Sequence, residues 1–263
     1  MHRFVLFVLS AALCTGTVFA EDAVAPSAMS IMQAAKDRIK SDTMSSRSRM
    51  VITAKNGGTT ERVIDQYSKD AANGYGRTVI VFQSPATVKG TRFLTMENES
   101  GKSDQWIFLP ALGKVRRIAA SESGGNFMGT DFSYDDMSAM DREIGLDTHT
   151  VLREEALDGN ACYVIQSVPK DSDFQYAKTI SWVDKSSYRT YKKELYNKRG
   201  AVEKVMETLG YKDVQGRDTP TRTKVSTPAA GTSTTISMDI IKYDDPIPEA
   251  VFTTAYLESG RAR

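Results

Sequence analysis

The side chains best placed to do chemistry are four carboxylates, Asp131, Asp135, Asp136 and Asp141, gathered around Ser133. Such a group could hold a hard cation, but it lacks the glycine and terminal glutamate that shape an EF-hand calcium loop. The first three are also what a helix start calls for, with Ser133 as N-cap and carboxylates in the first turn against the positive end of the helix dipole. No metal site is therefore expected. His2 and His149 are the only histidines, so a histidine-based zinc site or HExxH helix cannot form. There is no GxSxG nucleophile elbow and no GxxxxGKS/T or GxGxxG phosphate loop. Cys162 lies in the apolar run Ala161-Cys162-Tyr163-Val164-Ile165 and reads as a buried structural thiol. His149 reads as a surface or turn residue. The expectation is no catalytic residue, no cofactor and no enzyme; paired carboxylates acting without histidine are the one catalytic route this inventory leaves.

The chain's other unusual feature is apolar. Gln105-Trp106-Ile107-Phe108-Leu109 reads as a strand that stops at Pro110, and Lys114-Val115-Arg116-Arg117-Ile118 returns as its hairpin partner. Ser121 to Thr130 is then rich in glycine and serine yet carries Phe127 and Met128. Phe132, Met137 and Met140 follow in the short helix signal. Loops are usually polar, and methionine adapts to irregular partners. This Ser121–Met140 segment reads as a flap over a pocket whose walls are Phe93, Trp106, Phe108, Ile180 and Trp182. Ten buried methylenes would contribute on the order of 8 kcal/mol before ordering costs, enough for reversible carriage of an acyl chain. Equally, the same residues could plug the sheet as an ordinary core.

The elements that must position them begin after an export signal. Arg3, the apolar run Phe4 to Leu13, and Val18-Phe19-Ala20 fit a leader cleaved before Glu21, so residues 1–20 read as a signal peptide and 21–263 as a single domain. Cys14 follows Leu13, with Ala11 three positions before it, a poor lipidation match. The apolar run is too short to span a bilayer. Export to a periplasm is the expected address. Lysine and arginine number 34 against 33 acidic residues, and losing Arg3 leaves the chain formally neutral. That argues against nucleic acid and against a polybasic membrane-surface protein. Only Cys162 remains after cleavage, so stability has to come from a core.

Ser27 to Lys40 is the one long helix, with Met29, Met32, Ala35 and Ile39 as its apolar stripe. Roughly a dozen strands follow, joined by short turns such as Asn56-Gly57-Gly58 and Asp158-Gly159. Val79-Ile80-Val81-Phe82 looks buried on both faces, and Pro246 to Glu258 offers Phe252, Tyr256 and Leu257 for docking. One large curved antiparallel sheet, or an incomplete barrel with helices on its concave face, is the economical arrangement; a two-sheet sandwich is its competitor.

Four blocks also carry a likeness. Lys89-Gly90-Thr91-Arg92-Phe93-Leu94, Trp106-Ile107-Phe108-Leu109-Pro110-Ala111, Lys114-Val115-Arg116-Arg117-Ile118 and Gly129-Thr130-Asp131-Phe132-Ser133-Tyr134-Asp135-Asp136 resemble the signature of the LolA-like outer-membrane lipoprotein-sorting proteins, in the branch associated with resistance-nodulation-division-type lipid exporters. The resemblance implies a mainly β (α+β) fold, a single unclosed antiparallel β-barrel of about eleven strands with helices in its concave face. It also implies a monomeric periplasmic carrier that holds lipid or lipoprotein acyl chains, with an inner-membrane exporter and an outer-membrane acceptor as partners. Arg92, Arg116 and Arg117 become candidates for headgroup or lid contacts. A non-carrier binding module on the same fold, an envelope-stress sensor or exporter accessory, is the alternative.

Overall fold

A computed structural model describes residues 25–70, 74–98, 103–139 and 142–262; the expected leader, Met140 and Asp141 lie outside them. The chain opens with helix α1 (Ala28–Asp37), whose N-cap Ser27 accepts the Ser30 amide through its hydroxyl. Its packed face is Ala28, Ile31 and Met32 with Ala35 beside it, so Met32 and Ala35 lie where expected while Met29 and Ile39 are exposed. Ile31, about 200° round the helix from Met29, faces the sheet in its place, and the helix ends before Ile39 can join the stripe.

Among the described residues thirteen strands follow: β1 (Thr43–Thr53), β2 (Thr59–Asp70), β3 (Gly76–Ser84), β4 (Arg92–Glu97), β5 (Ser103–Leu109), β6 (Lys114–Arg117), β7 (Asp147–Leu157), β8 (Asn160–Pro169), β9 (Lys178–Asp184), β10 (Thr190–Tyr196), β11 (Val202–Val214), β12 (Arg217–Thr227) and β13 (Thr232–Tyr243). Helix α2 (Tyr134–Ala139) interrupts them after β6, and α3 (Thr254–Ser259) ends the chain. All strands belong to one antiparallel sheet in the order β6-β5-β4-β3-β2-β1-β13-β12-β11-β10-β9-β8-β7. This is the expected unclosed sheet, with two strands more than the family resemblance implied. The meander starts in the middle, runs out to the β6 edge, leaps to the opposite β7 edge and returns until β13 pairs with β1. The leap is the flap. It is where it is because something has to connect the two unpaired edges.

Cross-strand partners in an antiparallel ladder share a face, so the pairings sort every side chain into one of two layers. Met50, Ile64, Ile80, Phe82, Phe93, Ile107, Val225 and Ile236 share the inner face and pack with Ile118, Phe127, Phe132 and Met137 from the flap region. Further round the same face, Ile165 and Val183 receive α1. The helices were all expected on the concave side, but α3 packs on the outside. There Val79 and Leu94 meet Ile247, Val251, Phe252 and Leu257, with Trp106, Phe108 and Tyr256 alongside. Val79 and Phe82 are buried on opposite faces of β3, as their apolar run suggested.

The sheet curls tightly. Gln105 Nε2 on β5 donates to the Tyr134 carbonyl at 2.7 Å, while Asp136, two residues on, pairs with Lys204 of β11. Seven strand-to-strand steps separate β5 from β11. Laid flat, at about 4.8 Å a step, that is roughly 34 Å, far more than a single helical turn can bridge. Only a sheet rolled into an incomplete barrel brings both strands to the same short helix.

Candidate functional site

The flap fills the inner face with its own side chains. Phe127 is fully buried, its ring 4.9 Å from Phe93, 5.9 Å from Phe82 and 5.5 Å from Tyr134. Phe132 and Met137 are buried in the same cluster, and Met128 packs against it half-buried. A surface concavity of about 360 Å³, lined by Arg49, Val51, Arg222, Thr235 and Ser237, lies on the outer side of β1, β12 and β13.

Polar latches hold this apolar insert. Arg62 on β2 donates Nη1 to the Met128 carbonyl at 2.7 Å and stands over the Phe82 ring at 5.8 Å. Burial lowers its pKa, and its Nε is buried without a partner. The residue it holds is strained: Met128 sits at φ 52°, a region that costs a residue with a Cβ roughly 1 kcal/mol. Gly129 follows at φ 74°, where glycine is at no disadvantage.

Asp131 is the second latch. Its carboxylate is buried and accepts the hydroxyls of Thr227, Thr232 and Thr234, while its amide donates to Thr234 Oγ1 at 3.0 Å. Asp136 is the third. It caps α2 as expected, accepting the Ser133 amide at 2.7 Å while its own amide donates to Ser133 Oγ. It also receives Lys204 Nζ, the Tyr176 hydroxyl at 2.7 Å and Gln175 Nε2 at 2.9 Å. Lys204 and Asp136 side chains are 7% and 9% exposed, so the pair is desolvated and breaking either half would strand a charge. Burial beside Asp136 pushes the Tyr176 hydroxyl far above its usual pKa. Burial also raises Asp135, against a hydrogen bond from Ser123. Among the described residues no group of histidine, cysteine and carboxylate side chains is arranged to hold a metal.

The structure brings only part of the expected lining together. Phe93, Phe127, Met128, Phe132 and Met137 meet on the inner face. Trp106 and Phe108 lie behind it, under α3. Ile180 and Trp182 are buried with Cys162 and Val164 on the outer face, where Trp182 Nε1 donates to Glu155. These four alternate out of register with the inner positions, which two-residue periodicity alone could not assign to a side. The candidate arginines also disperse. Arg92 lies over the Phe108 ring and donates to the Leu257 carbonyl, closing the end of α3. Arg116 pairs with Glu122 at the foot of the flap, and Arg117 pairs with Asp104. Arg116 thus reaches the lid segment at its exposed end, and Arg62, not among the candidates, holds its buried part. His149 is a half-buried strand residue whose ring bonds Ser167 Oγ and the Ile144 carbonyl, correcting the surface reading. Cys162 is buried, and burial raises its pKa.

Comparison with known proteins fits this geometry. The model of a family described as uncharacterized-protein-like matches residues 74–259. The chain belongs to that family and has the LolA-like fold. No curated protein sequence matches it. A DUF1329 family protein from Desulfovibrio piger superposes with a TM-score of 0.83 at 27% identity, covering 88% of this chain and 97% of that one. A structure assigned as an outer membrane lipoprotein-sorting protein domain from Vibrio parahaemolyticus gives 0.81 at 27%, covering 88% and 98%. A LolA superfamily protein from Nitrosomonas europaea gives 0.72 at 23%, covering 88% and 100%. No described helix of this LolA-like chain is long and apolar enough to cross a membrane.

Proposed function

We propose that this protein is a periplasmic carrier that holds lipid or lipoprotein acyl chains on the inner face of its barrel and delivers them toward the outer membrane. The observation that carries this reading is the division of labour in the flap. Its apolar side chains occupy the inner face, while Arg62, Asp131 and Asp136 fasten it through polar contacts. Phe127, Phe132 and Met137 then stand where hydrocarbon would lie, and an incoming chain replaces them as the flap swings out. Desolvated apolar surface is exchanged for desolvated apolar surface, so the exchange is nearly balanced and reversible. Binding by enclosure needs no covalent step and no catalytic group. Mature chain 21–263 acts as one domain, exported by its leader, and takes cargo from an inner-membrane exporter.

Mass spectrometry of lipid extracted from protein purified without detergent tests the reading. Co-purifying fatty acid or phospholipid is expected. A preparation free of both, and unable to take up either in vitro, counts against carriage. The filled inner face favours the second reading, a binding module of the same fold, and that empty-handed result would support it.

A further inference from the structure

Between the α1 cluster and the flap cluster, one strip of the inner face belongs to neither. Following the ladder from Ile165 under α1, the row runs Ser181 and Lys193, then Met206 and Val225, which both pack in the flap cluster. Lys193 and Ser181 are direct cross-strand partners, which sets their Cβ atoms about 5 Å apart on the same side. Ser181 is 1% exposed and its hydroxyl has no hydrogen-bond partner. Lys193 makes no hydrogen bond or ion pair among the described residues, and burial lowers its pKa against the more distant pull of Asp147. Its neighbour on the outer face behaves differently: Lys192 pairs with Glu194 at 2.7 Å and covers the Trp182 ring.

A half-buried ammonium with no protein partner, beside a fully buried hydroxyl with none, is a costly pair to keep, and a fold gains nothing from it. Yet the strip is not sealed. Lys193, Leu195, Met206, Thr208 and Thr223 all remain half-buried on this face, so solvent reaches the strip between helix and flap. Its donors are the partly exposed Lys193 ammonium and the fully buried Ser181 hydroxyl, and Leu195 and Met206 share the face with them. Lys204, diagonal to Lys193 across β10 and β11, is already neutralised by the flap's Asp136, a carboxylate that shows how an anion is received here.

We propose that Lys193 and Ser181 form a binding site for the anionic head of the cargo, a carboxylate or phosphate whose hydrocarbon tail extends beneath the flap. This rests on the carrier reading and narrows it to anionic amphiphiles. Lys193 supplies charge and up to three donors, Ser181 one more, and neither spends that capacity on the protein itself.

Equilibrium partitioning into the mature protein tests it with matched probes: palmitate against hexadecanol, and dipalmitoyl phosphatidic acid against dipalmitoylglycerol. Wild type should prefer the anionic member of at least one pair by about tenfold, the scale of one charge-assisted hydrogen bond. Preference confined to palmitate assigns a fatty-acid head; preference for phosphatidic acid assigns a phospholipid head. Lys193→Met should abolish the preference while leaving hexadecanol binding unchanged, Lys193→Arg should restore it, and Ser181→Ala should weaken it a few-fold. Lys193→Met should melt no lower than wild type, because it removes a half-buried charge that has no partner. Preference surviving in Lys193→Met, or a melting loss there that Lys193→Arg repairs without restoring preference, overturns the assignment. Equal binding of both members of each pair overturns it alone, whereas failure of wild type to bind any probe overturns carriage as well.

Discussion

Arg62 pins the flap at its most strained residue, so its removal should be felt locally first. Arg62→Met keeps the packing volume, discards a guanidinium that burial already disfavours, and loses the bond to the Met128 carbonyl. A hydrogen bond from a charged donor contributes about 1.5 kcal/mol or more. The Phe127 and Thr130 amides, which close the flap turn on Phe132 and Phe127 carbonyls, should therefore lose about tenfold in hydrogen-exchange protection. Unchanged protection would mean that Arg62 is a bystander. Asp131 should behave differently, because its three threonine partners belong to the sheet. Asp131→Ala leaves their hydroxyls without an acceptor and should cost about 2–3 kcal/mol in urea unfolding, while Asp131→Asn, which keeps one acceptor oxygen, should cost less. Equal losses for both would mean that the carboxylate's second oxygen carries the latch. None of these partners was visible in advance. Thr232, Thr234 and Ile236 do share the strand period, and Lys204 interrupts the face it shares with Met206, but polarity on a half-buried strand ordinarily signals solvent.

At the scale of elements, turns carry their own stability and their own pH dependence. The β9–β10 turn closes on Asp184. Burial works to raise its pKa, but four hydrogen bonds from the amides and hydroxyls of Ser186 and Ser187 outweigh it and hold the group at about 2. The folded value lies below the unfolded value near 4, so the stabilisation is complete above that pH and fades as pH falls toward 2. It is on the order of 1–2 kcal/mol. Acid unfolding of Asp184→Asn should accordingly be flatter than wild type between pH 4 and 2; parallel curves would show that the turn holds without the charge. The turns at Asn56-Gly57-Gly58 and Asp158-Gly159 were legible because turn residues act locally. Strand existence was legible for the same reason. Which face of a strand meets the flap was not, since Trp106 and Ile107 differ only in which side the neighbouring strands present. The face of α1 was misread because Met29 and Ile31 lie about 200° apart around the helix, so choosing one as anchor turns the other to solvent. The outer position of α3 depended on Val79 and Leu94 offering a second apolar face, which the continuous apolar run hinted at without saying what would cover it.

For the molecule as a whole, the flap is both the link between the two free edges and the tie between β5 and β11, so opening it and relaxing the curl are one motion. Cargo that passes beneath the flap should then depend on that motion being permitted. Asp131→Cys with Thr234→Cys provides a reversible lock, because the Asp131 amide lies 3.0 Å and its carboxylate 2.7 Å from Thr234 Oγ1. Cys162 should not compete, being buried with its pKa raised. The oxidised protein should take up no palmitate, and its melting temperature should not respond to the lipid. Reduced protein has lost the threonine latch and should load at least as fast as wild type. At a free concentration a hundredfold above the dissociation constant it should gain about 2.7 kcal/mol of apparent stability. Oxidised and reduced forms loading at the same rate would mean that cargo reaches the inner face by another route, or never reaches it, and that the flap is core rather than gate.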